Sequence, residues 1–206
     1  QYNTGVGVRS LLSLTTGFDN TAVGTESMRS TTTGTNNSSL GYQSLYSNNS
    51  GFENVAVGVS SLFTNTSGER NVAIGANTLL LNSTGDENVA IGYEALNLAT
   101  GSFNVAVGRD AGADLTTGVN NTFLGYGAGL GVSTGNSNTI IGSNIFGLAG
   151  GLSGNIIIGD GNGNQRINVD SSGNVGFGDT TPDAKLDVEL SENTEAIRMS
   201  DTTNTD

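Results

Sequence analysis

The sequence has no cysteine, histidine or tryptophan, and Pro182 is its only proline among 206 residues. Without cysteine the chain can form no disulfide framework, thiol nucleophile or thiolate metal site. Without histidine it lacks the commonest general base and the commonest zinc ligand. Much of the side-chain chemistry on which enzymes and metalloproteins depend is therefore excluded.

Basic residues are scarce as well. Seven Lys and Arg residues stand against 19 Asp and Glu residues, which gives a formal net charge of −12. The bases are scattered from Arg9 to Arg198, so they assemble no patch for phosphate groups, and the sequence argues against nucleic-acid binding. No stretch is long and apolar enough to cross a membrane, so we expect no membrane insertion.

What the chain does contain is a repeat. The five-residue phrase Asn-Val-Ala-(Val or Ile)-Gly occupies residues 54–58, 71–75, 88–92 and 104–108, and degenerate copies end at seven further glycines. The glycines that end the phrase are 17 residues apart, except for one interval of 16 and one of 19. A period of this size predicts stacked units rather than a single globular core. The phrase-ending glycines are Gly7, Gly24, Gly41, Gly58, Gly75, Gly92, Gly108, Gly125, Gly142, Gly159 and Gly178.

Each unit continues with a small-plus-large pair, such as Ser61-Leu62, and a polar turn that ends in a second glycine, such as Gly68. This order predicts strand, turn, short strand, turn. We therefore expect an all-β fold, a parallel β-roll or β-solenoid of about eleven rungs of about 17 residues. The predicted organisation is a β-roll shaft over 1–159, a closing segment over 160–190, and an acidic tail over 191–206 that leads to a following domain or a frayed end.

The first place of the phrase is asparagine in every unit, from Asn3 to Asn174. A stacked amide can donate to one neighbour and accept from the other, and such ladders stabilise cross-strand arrays. We predict a structural ladder rather than a binding site. Its members are Asn20, Asn37, Asn54, Asn71, Asn88, Asn104, Asn121, Asn138 and Asn155.

The third and fourth places are both apolar, and alternate residues of a strand face opposite sides. The fourth place is a branched aliphatic residue from Val6 to Ile158, which predicts an internal ladder. The third place is small before it changes to Phe123, Ile140 and Ile157, so we expect it to contact sister chains around an axis that widens at the change. The alternative is a monomeric solenoid whose interior changes shape. The predicted trimer contacts are Ala22, Ala56, Ala73, Ala90, Ala106, Phe123, Ile140 and Ile157.

The phrase, with its Ala/Ser-Leu pair and Thr/Ser-Gly turn, resembles the head repeats of trimeric autotransporter adhesins. It is still more similar to shaft repeats of phage tail fibres and related bacterial fibres that end in an endosialidase-type intramolecular chaperone. Residues 173–188 resemble the segment that closes such shafts. The resemblance implies a left-handed β-roll in each chain, three chains around one axis, and attachment to a host or surface. It does not separate a virion fibre from a cell-surface fibre.

Candidate chemistry is sparse. Asp86-Glu87 and Asp110 with Asp114 are the closer carboxylate pairs, but no base or nucleophile accompanies them, so we predict no enzyme and no cofactor. Asp160, Asn162 and Asn164 space their oxygens like the start of a calcium loop. Gln165 and Ser171 stand where such a loop needs glycine and glutamate, so a plain glycine turn is favoured over a metal site.

The sequence leaves the role of two surface features undecided. Tyr42, Tyr93 and Tyr126 follow the strand-ending glycine, where they could stack on sugars or simply pack at the rim. Threonine-rich runs such as 31–33 suggest an ice-binding face, but such a face requires regular spacing, and the runs are irregular in the sequence.

The sequence therefore predicts a structural fibre protein, a homotrimeric spacer or adhesin segment that attaches to a host cell or surface. We expect it outside the cell, on a virion tail fibre or a bacterial surface, with two identical chains and a cell-surface glycan or receptor as partners. The alternatives are a monomeric secreted β-solenoid that binds glycan or ice, and a glycan-degrading tail spike.

Overall fold

A computed structural model describes residues 2–189. Within this range the protein is all-β and has no helix. The strands are short, mostly three residues, because a glycine with positive φ ends nearly every phrase. They are β1 (Thr4–Val6), β2 (Thr21–Val23), β3 (Ser38–Leu40), β4 (Val55–Val57), β5 (Val72–Ile74), β6 (Val89–Ile91), β7 (Val105–Val107), β8 (Thr122–Leu124), β9 (Thr139–Ile141), β10 (Ile156–Gly159), β11 (Gln165–Val169), β12 (Val175–Phe177) and β13 (Leu186–Val188).

All thirteen strands form one sheet in sequence order. From β1 to β10 every neighbour is parallel, and equivalent residues of the phrase pair directly, as Ala73 does with Ala90. The ten strands enclose about nine turns of a β-solenoid, fewer than the eleven rungs predicted. The count falls short because the chain reverses after β10: β11 is antiparallel to both β10 and β12, and β13 is parallel to β12.

The second side of each rung is not a regular strand, contrary to the prediction of two strands per unit. Its large residue has left-handed backbone geometry, with φ of +50° at Leu62 and +49° at Leu79. The rungs are still bonded to one another on this side, since the amide of Leu62 donates to the carbonyl of Thr78 at 3.0 Å. The backbone is hydrogen-bonded as a ladder without being extended.

The structure reverses the two faces of the strand that the sequence pattern suggested. The third-place residues from Ala22 to Ile157 lie inside their own chain, none of them more than 3% exposed, so they cannot contact a sister chain. The fourth-place residues point outward, and Leu40 is 53% exposed. The corrected residues are the predicted trimer contacts Ala22, Ala56, Ala73, Ala90, Ala106, Phe123, Ile140 and Ile157.

The second side of the rung explains this choice of face. Its large residues, such as Leu62 and Leu79, are fully buried and fill the roll from that side. The strand opposite has room only for alanine, because protein interiors are packed to crystal-like density. The bulkier Val and Ile of the phrase must therefore lie outside.

The third place changes from a small residue to Phe123 because space inside one chain is here filled from the strand side of the rung. The change does not mark a place where an axis between chains widens. Where Phe123 enters the interior, the leucine row is interrupted by Gly112 and Gly129. A Cβ on Gly112 would lie 2.5 Å from the Cδ2 of Phe123, and a Cβ on Gly129 would also overlap the ring. The ring thus occupies the space that two leucines fill elsewhere.

The segment after β9 closes the interior instead of bulging from it. Leu148 and Leu152 pack against the core, and Ile145 is 1% exposed. The carbonyl of Gly150 accepts the amides of Ser133, Thr134 and Gly135, at 2.9, 2.8 and 3.1 Å respectively. The end of the predicted closing segment at residue 190 and the acidic tail 191–206 lie outside the described residues.

We expect Phe123→Ala to lower the free energy of unfolding by about 3–5 kcal/mol, because the two glycines leave nothing to collapse into the cavity. Chemical denaturation followed by circular dichroism measures the loss. The matched control is Phe18→Ala at a 46% exposed position.

The triple variant F123A/G112L/G129L restores the regular interior and should recover part of that loss, since leucine already adopts left-handed geometry at this place in other rungs. Equal losses in F123A and F18A would contradict the filling of this space by Phe123.

Candidate interaction face

A continuous ladder of buried asparagines holds the rungs in register. The Oδ1 of Asn71 accepts both the backbone amide and the Nδ2 of Asn88, each at 3.0 Å. The Nδ2 of Asn71 donates to the Oδ1 of Asn54 at 3.2 Å and to the carbonyl of Gly85 at 2.8 Å. Each amide thus joins its strand to the previous rung and to its own second-glycine turn. A buried amide satisfied in this way rigidifies the core around it.

The ladder runs from Asn3 to Asn155. Asn174, which the phrase also placed at a first position, is not a member. Its amide and Nδ2 bond to Asp170 in the turn between β11 and β12, at 2.8 and 3.0 Å. The ladder ends where the chain reverses, because β12 follows an antiparallel strand and no longer starts a rung.

The ladder positions an outward face of two parallel rows, which we call the outer face. The register pairs the rows across all thirteen strands, including those after the reversal. Its members are aliphatic residues, one phenylalanine and a few Ser and Thr, and none is charged. The rows are Thr4, Thr21, Ser38, Val55, Val72, Val89, Val105, Thr122, Thr139, Ile156, Val169, Val175 and Leu186, and Val6, Val23, Leu40, Val57, Ile74, Ile91, Val107, Leu124, Ile141, Ile158, Ile167, Phe177 and Val188.

Every member of the outer face is exposed or half-buried in the single chain, and none is fully buried. Ile74 is 39% exposed in the middle of the shaft, and Phe177 and Leu186 are 43% and 54% exposed at its end. Large apolar patches are rare on soluble monomers and mark interaction sites. An uncharged, regularly spaced face of this length is the most extensive candidate site on the described part of the molecule.

A second regular surface lies at the turn before the second glycine. At this place eight successive rungs each carry an exposed Ser or Thr, although the runs that contain them are irregular in the sequence. We call this set the hydroxyl row. In the preceding row the hydroxyls bond to the next rung, as Thr66 does to the carbonyl of Ser83 at 2.9 Å. The hydroxyl row consists of Thr16, Thr33, Ser50, Ser67, Thr84, Thr100, Thr117 and Thr134.

Two of the three predicted surface tyrosines hold a cation. The guanidinium of Arg109 lies 5.6 Å from the ring centroid of Tyr93 and 5.9 Å from that of Tyr126. Arg109 also bonds to Asp110 at 3.1 Å. The hydrogen bond to Glu94 is the main cause of a raised Tyr93 pKa. The rings of Tyr93 and Tyr126 therefore pack against Arg109 at the rim of the roll, and Tyr42 does not belong to this group.

Asp160, Asn162 and Asn164 do come together, but as a hydrogen-bonded turn. The carboxylate of Asp160 accepts the amide of Asn162 at 2.9 Å and the Nδ2 of Asn164 at 2.9 Å, and it pairs with Arg166. Asn164 thus presents a donor to Asp160 rather than a ligand oxygen. The same contacts recur between Asp170, Ser172 and Asn174 in the next turn. The geometry fits two matching hairpin turns and does not fit a cation site.

The closer carboxylate pairs are each engaged with a neighbour along the roll and do not face one another across a cleft. Asp86 accepts the backbone amide of Glu69, and Asp114 accepts the backbone amide of Gly131. Glu87 pairs with Arg70, and Asp110 pairs with Arg109. Within residues 2–189 no cluster of three or more acidic side chains has the arrangement of a metal site.

A polar cleft of about 590 Å³ lies on the closing segment. Its acidic lining residues are Asp179, Asp183, Asp187 and Glu189, together with two threonines and Val188. Asp179 already accepts the amide of Thr181 at 2.8 Å, so part of this lining is a further turn. Residues 2–189 contain no helix that is long and apolar enough to cross a membrane.

Comparison with protein-family models, with curated proteins and with solved structures finds no match for this chain.

We expect Asn71→Ala to lower the free energy of unfolding by about 2–4 kcal/mol, because it leaves two buried donors of Asn88 without an acceptor. Chemical denaturation measures the change. Asn97→Ala is the matched control, since Asn97 is half-buried and outside the ladder. Similar small losses in both variants would argue that the ladder contributes little.

Asp160 provides a pH-dependent test of the turn. Its pKa lies far below the usual value, chiefly through the Nδ2 of Asn164, then the amide of Asn162 and Arg166. A depressed pKa contributes stability above the unfolded-state value of about 3.9, and this is lost only as the pH falls through the lower folded-state value. Carboxyl-carbon NMR should therefore show Asp160 still ionised where free aspartate is protonated. Asn164→Ala should raise this pKa, and an unchanged titration would contradict the assigned contacts.

Proposed function

We propose that the chain is a segment of an extracellular structural fibre in which three copies meet through the outer face. The observation that carries the proposal is the uncharged apolar face, which is continuous across thirteen strands and exposed in the single chain. At about 4.8 Å per strand the face is about 60 Å long. Covering it would remove from water one side of every strand, and burial of apolar surface is the dominant driving force of association.

Several features favour further copies of the same chain as the cover. The face carries no charge, so it offers no electrostatic pattern by which a different partner would be selected. Its rows repeat at the strand spacing, so copies around a common axis match rung for rung. Closed cyclic symmetry is also the usual form of such homo-oligomers. The number three comes from the resemblance to trimeric fibre shafts.

The proposed role is that of a rigid spacer that presents, or itself forms, an adhesive surface on a virion tail fibre or a bacterial surface. Ladder hydrogen bonds between every pair of rungs support the rigidity. The hydroxyl row lies at a turn, outside the strands that form the outer face, so it stays accessible to a host surface in such an assembly.

Size-exclusion chromatography with light scattering tests the proposal, and we expect a particle of three 20.9 kDa chains. Ile74→Asp should abolish the trimer, because it would place three carboxylates together at the axis while changing a residue that is 39% exposed in the lone chain. Thr84→Asp, on the exposed hydroxyl row, is the matched control and should remain trimeric.

A well-folded wild-type monomer would overturn the proposal, and a dimer would keep the outer face as an interface but reject the trimer. Trimers that tolerate I74D as well as T84D would show that the copies meet elsewhere.

A further inference from the structure

We propose that the closing meander, defined as β11–β13, fixes the register in which the copies meet, and that Phe177 and Leu186 are the residues that set it. This inference rests on the proposed trimer. It concerns a different question, namely at which relative height along the axis the chains are joined.

The middle of the shaft specifies this height poorly. On the outer face β4, β5, β6 and β7 present Val-Val, Val-Ile, Val-Ile and Val-Val at their second and fourth places. Within these four strands, moving one copy by a single rung would exchange valine for isoleucine and leave the contacts apolar, and only β1–β3, β8 and β9 place Ser or Thr in the first row. A surface so uniform permits slippage, as flat and featureless strands do in sheets.

The meander differs from the shaft because none of its strands places a large apolar side chain on the covered side. The residues that continue the buried row are Asn168, Gly176 and Asp187, which are directly paired across the three strands. A polar loop covers this side, and the Nδ2 of Asn168 donates to the carbonyl of Thr180. The apolar side chains of the meander therefore all lie on the outer face.

An apolar face that stays partly in water contributes less to stability than a buried one, because removal of apolar surface from water is the dominant favourable term in folding. Continuity of the sheet with β10 places this face in the same two rows that the shaft presents. The occupant that fits is the same face of the sister chains, because the rows run without a break into the proposed interface. Assembly would then stabilise the meander more than it stabilises a shaft rung.

The meander also has the side chains that distinguish one height from another. Phe177 is the only aromatic residue on the outer face, and it stands between Gly176 and Gly178. Its neighbours across the sheet are the smaller Ile167 and Val188. Leu186 is the only member of its row larger than valine after β10. A slip of one strand would set these bulky groups against residues of different size, and shape mismatch in a packed core is unfavourable.

The absence of cysteine permits a direct measurement of register. Val72→Cys and Val89→Cys, one rung apart on the outer face, would be introduced in separate chains that are denatured and refolded together. Mild oxidation then joins cysteines at equal height as disulfides, because a disulfide requires Cβ atoms about 3.5–4.5 Å apart and neighbouring rungs are offset by about 4.8 Å. In-register trimers give only 72–72 and 89–89 products, whereas a slip of one rung gives 72–89 products, and mass spectrometry distinguishes them.

We expect like-with-like products when the meander is wild-type. The double change F177V/L186V makes the meander as uniform as the shaft, and we expect 72–89 products to rise by about tenfold, the change that a loss of 1.4 kcal/mol in register preference produces. Asp187→Asn, on the opposite side of β13, is the matched control and should leave the products like-with-like.

Loss of the trimer in F177V/L186V but not in D187N would overturn the inference, because the meander would then be required to hold the copies together and not to set their register. Stable trimers with like-with-like products in every variant would overturn the inference and leave the trimer intact. A wild-type monomer would instead overturn the proposed function itself.

Discussion

A fully buried primary amide must have partners on every side, and the asparagine ladder depends on that requirement. From Asn20 to Asn121 each Asn donates to the previous rung and to the carbonyl of its own second glycine, and it accepts two donors from the next rung. An insertion or deletion that displaced one asparagine would leave several buried polar groups unpaired, each of which costs about 1–3 kcal/mol. The one shortened unit, with a 16-residue step from Asn88 to Asn104, keeps the ladder bonds at 3.0 and 3.2 Å. This unit is therefore one residue shorter in a turn, and the position of its asparagine in the ladder is unchanged.

The ladder fixes the position of the strands, and the second side of the rung then decides which strand face is interior. A row of leucines in left-handed backbone geometry fills the roll, so the strand can contribute only small residues there. The larger aliphatic residues are consequently forced outward. The solenoid is thus apolar both in its interior and on its outer face, and strands that are apolar on both faces are usually covered on both.

The period, the all-β class and the asparagine ladder could be predicted from the sequence, because all three depend on residue types repeated at a fixed interval. Which face of the strand lies inside could not be predicted, because Ala73 and Ile74 are both apolar and alternation alone does not say which row is interior. The left-handed geometry of Leu79 was equally hidden, since leucine rarely adopts positive φ and nothing local marks it. Gly112 and Gly129 were the available signal for the change at Phe123, but only the register shows that they lie against its ring.

The closing meander connects these constraints to assembly. In the shaft, each rung gains stability from its own interior and from two neighbouring rungs, so a single chain can hold its regular part together. In β11–β13 the interior row becomes Asn168, Gly176 and Asp187, so the strands no longer contribute large apolar side chains to an interior, while the outer rows continue through Phe177 and Leu186. A sequence selected only for a stable single chain would gain nothing from keeping that outer face apolar after the interior has ended. Its persistence through a reversal of chain direction supports the proposal that the interface between copies includes the meander.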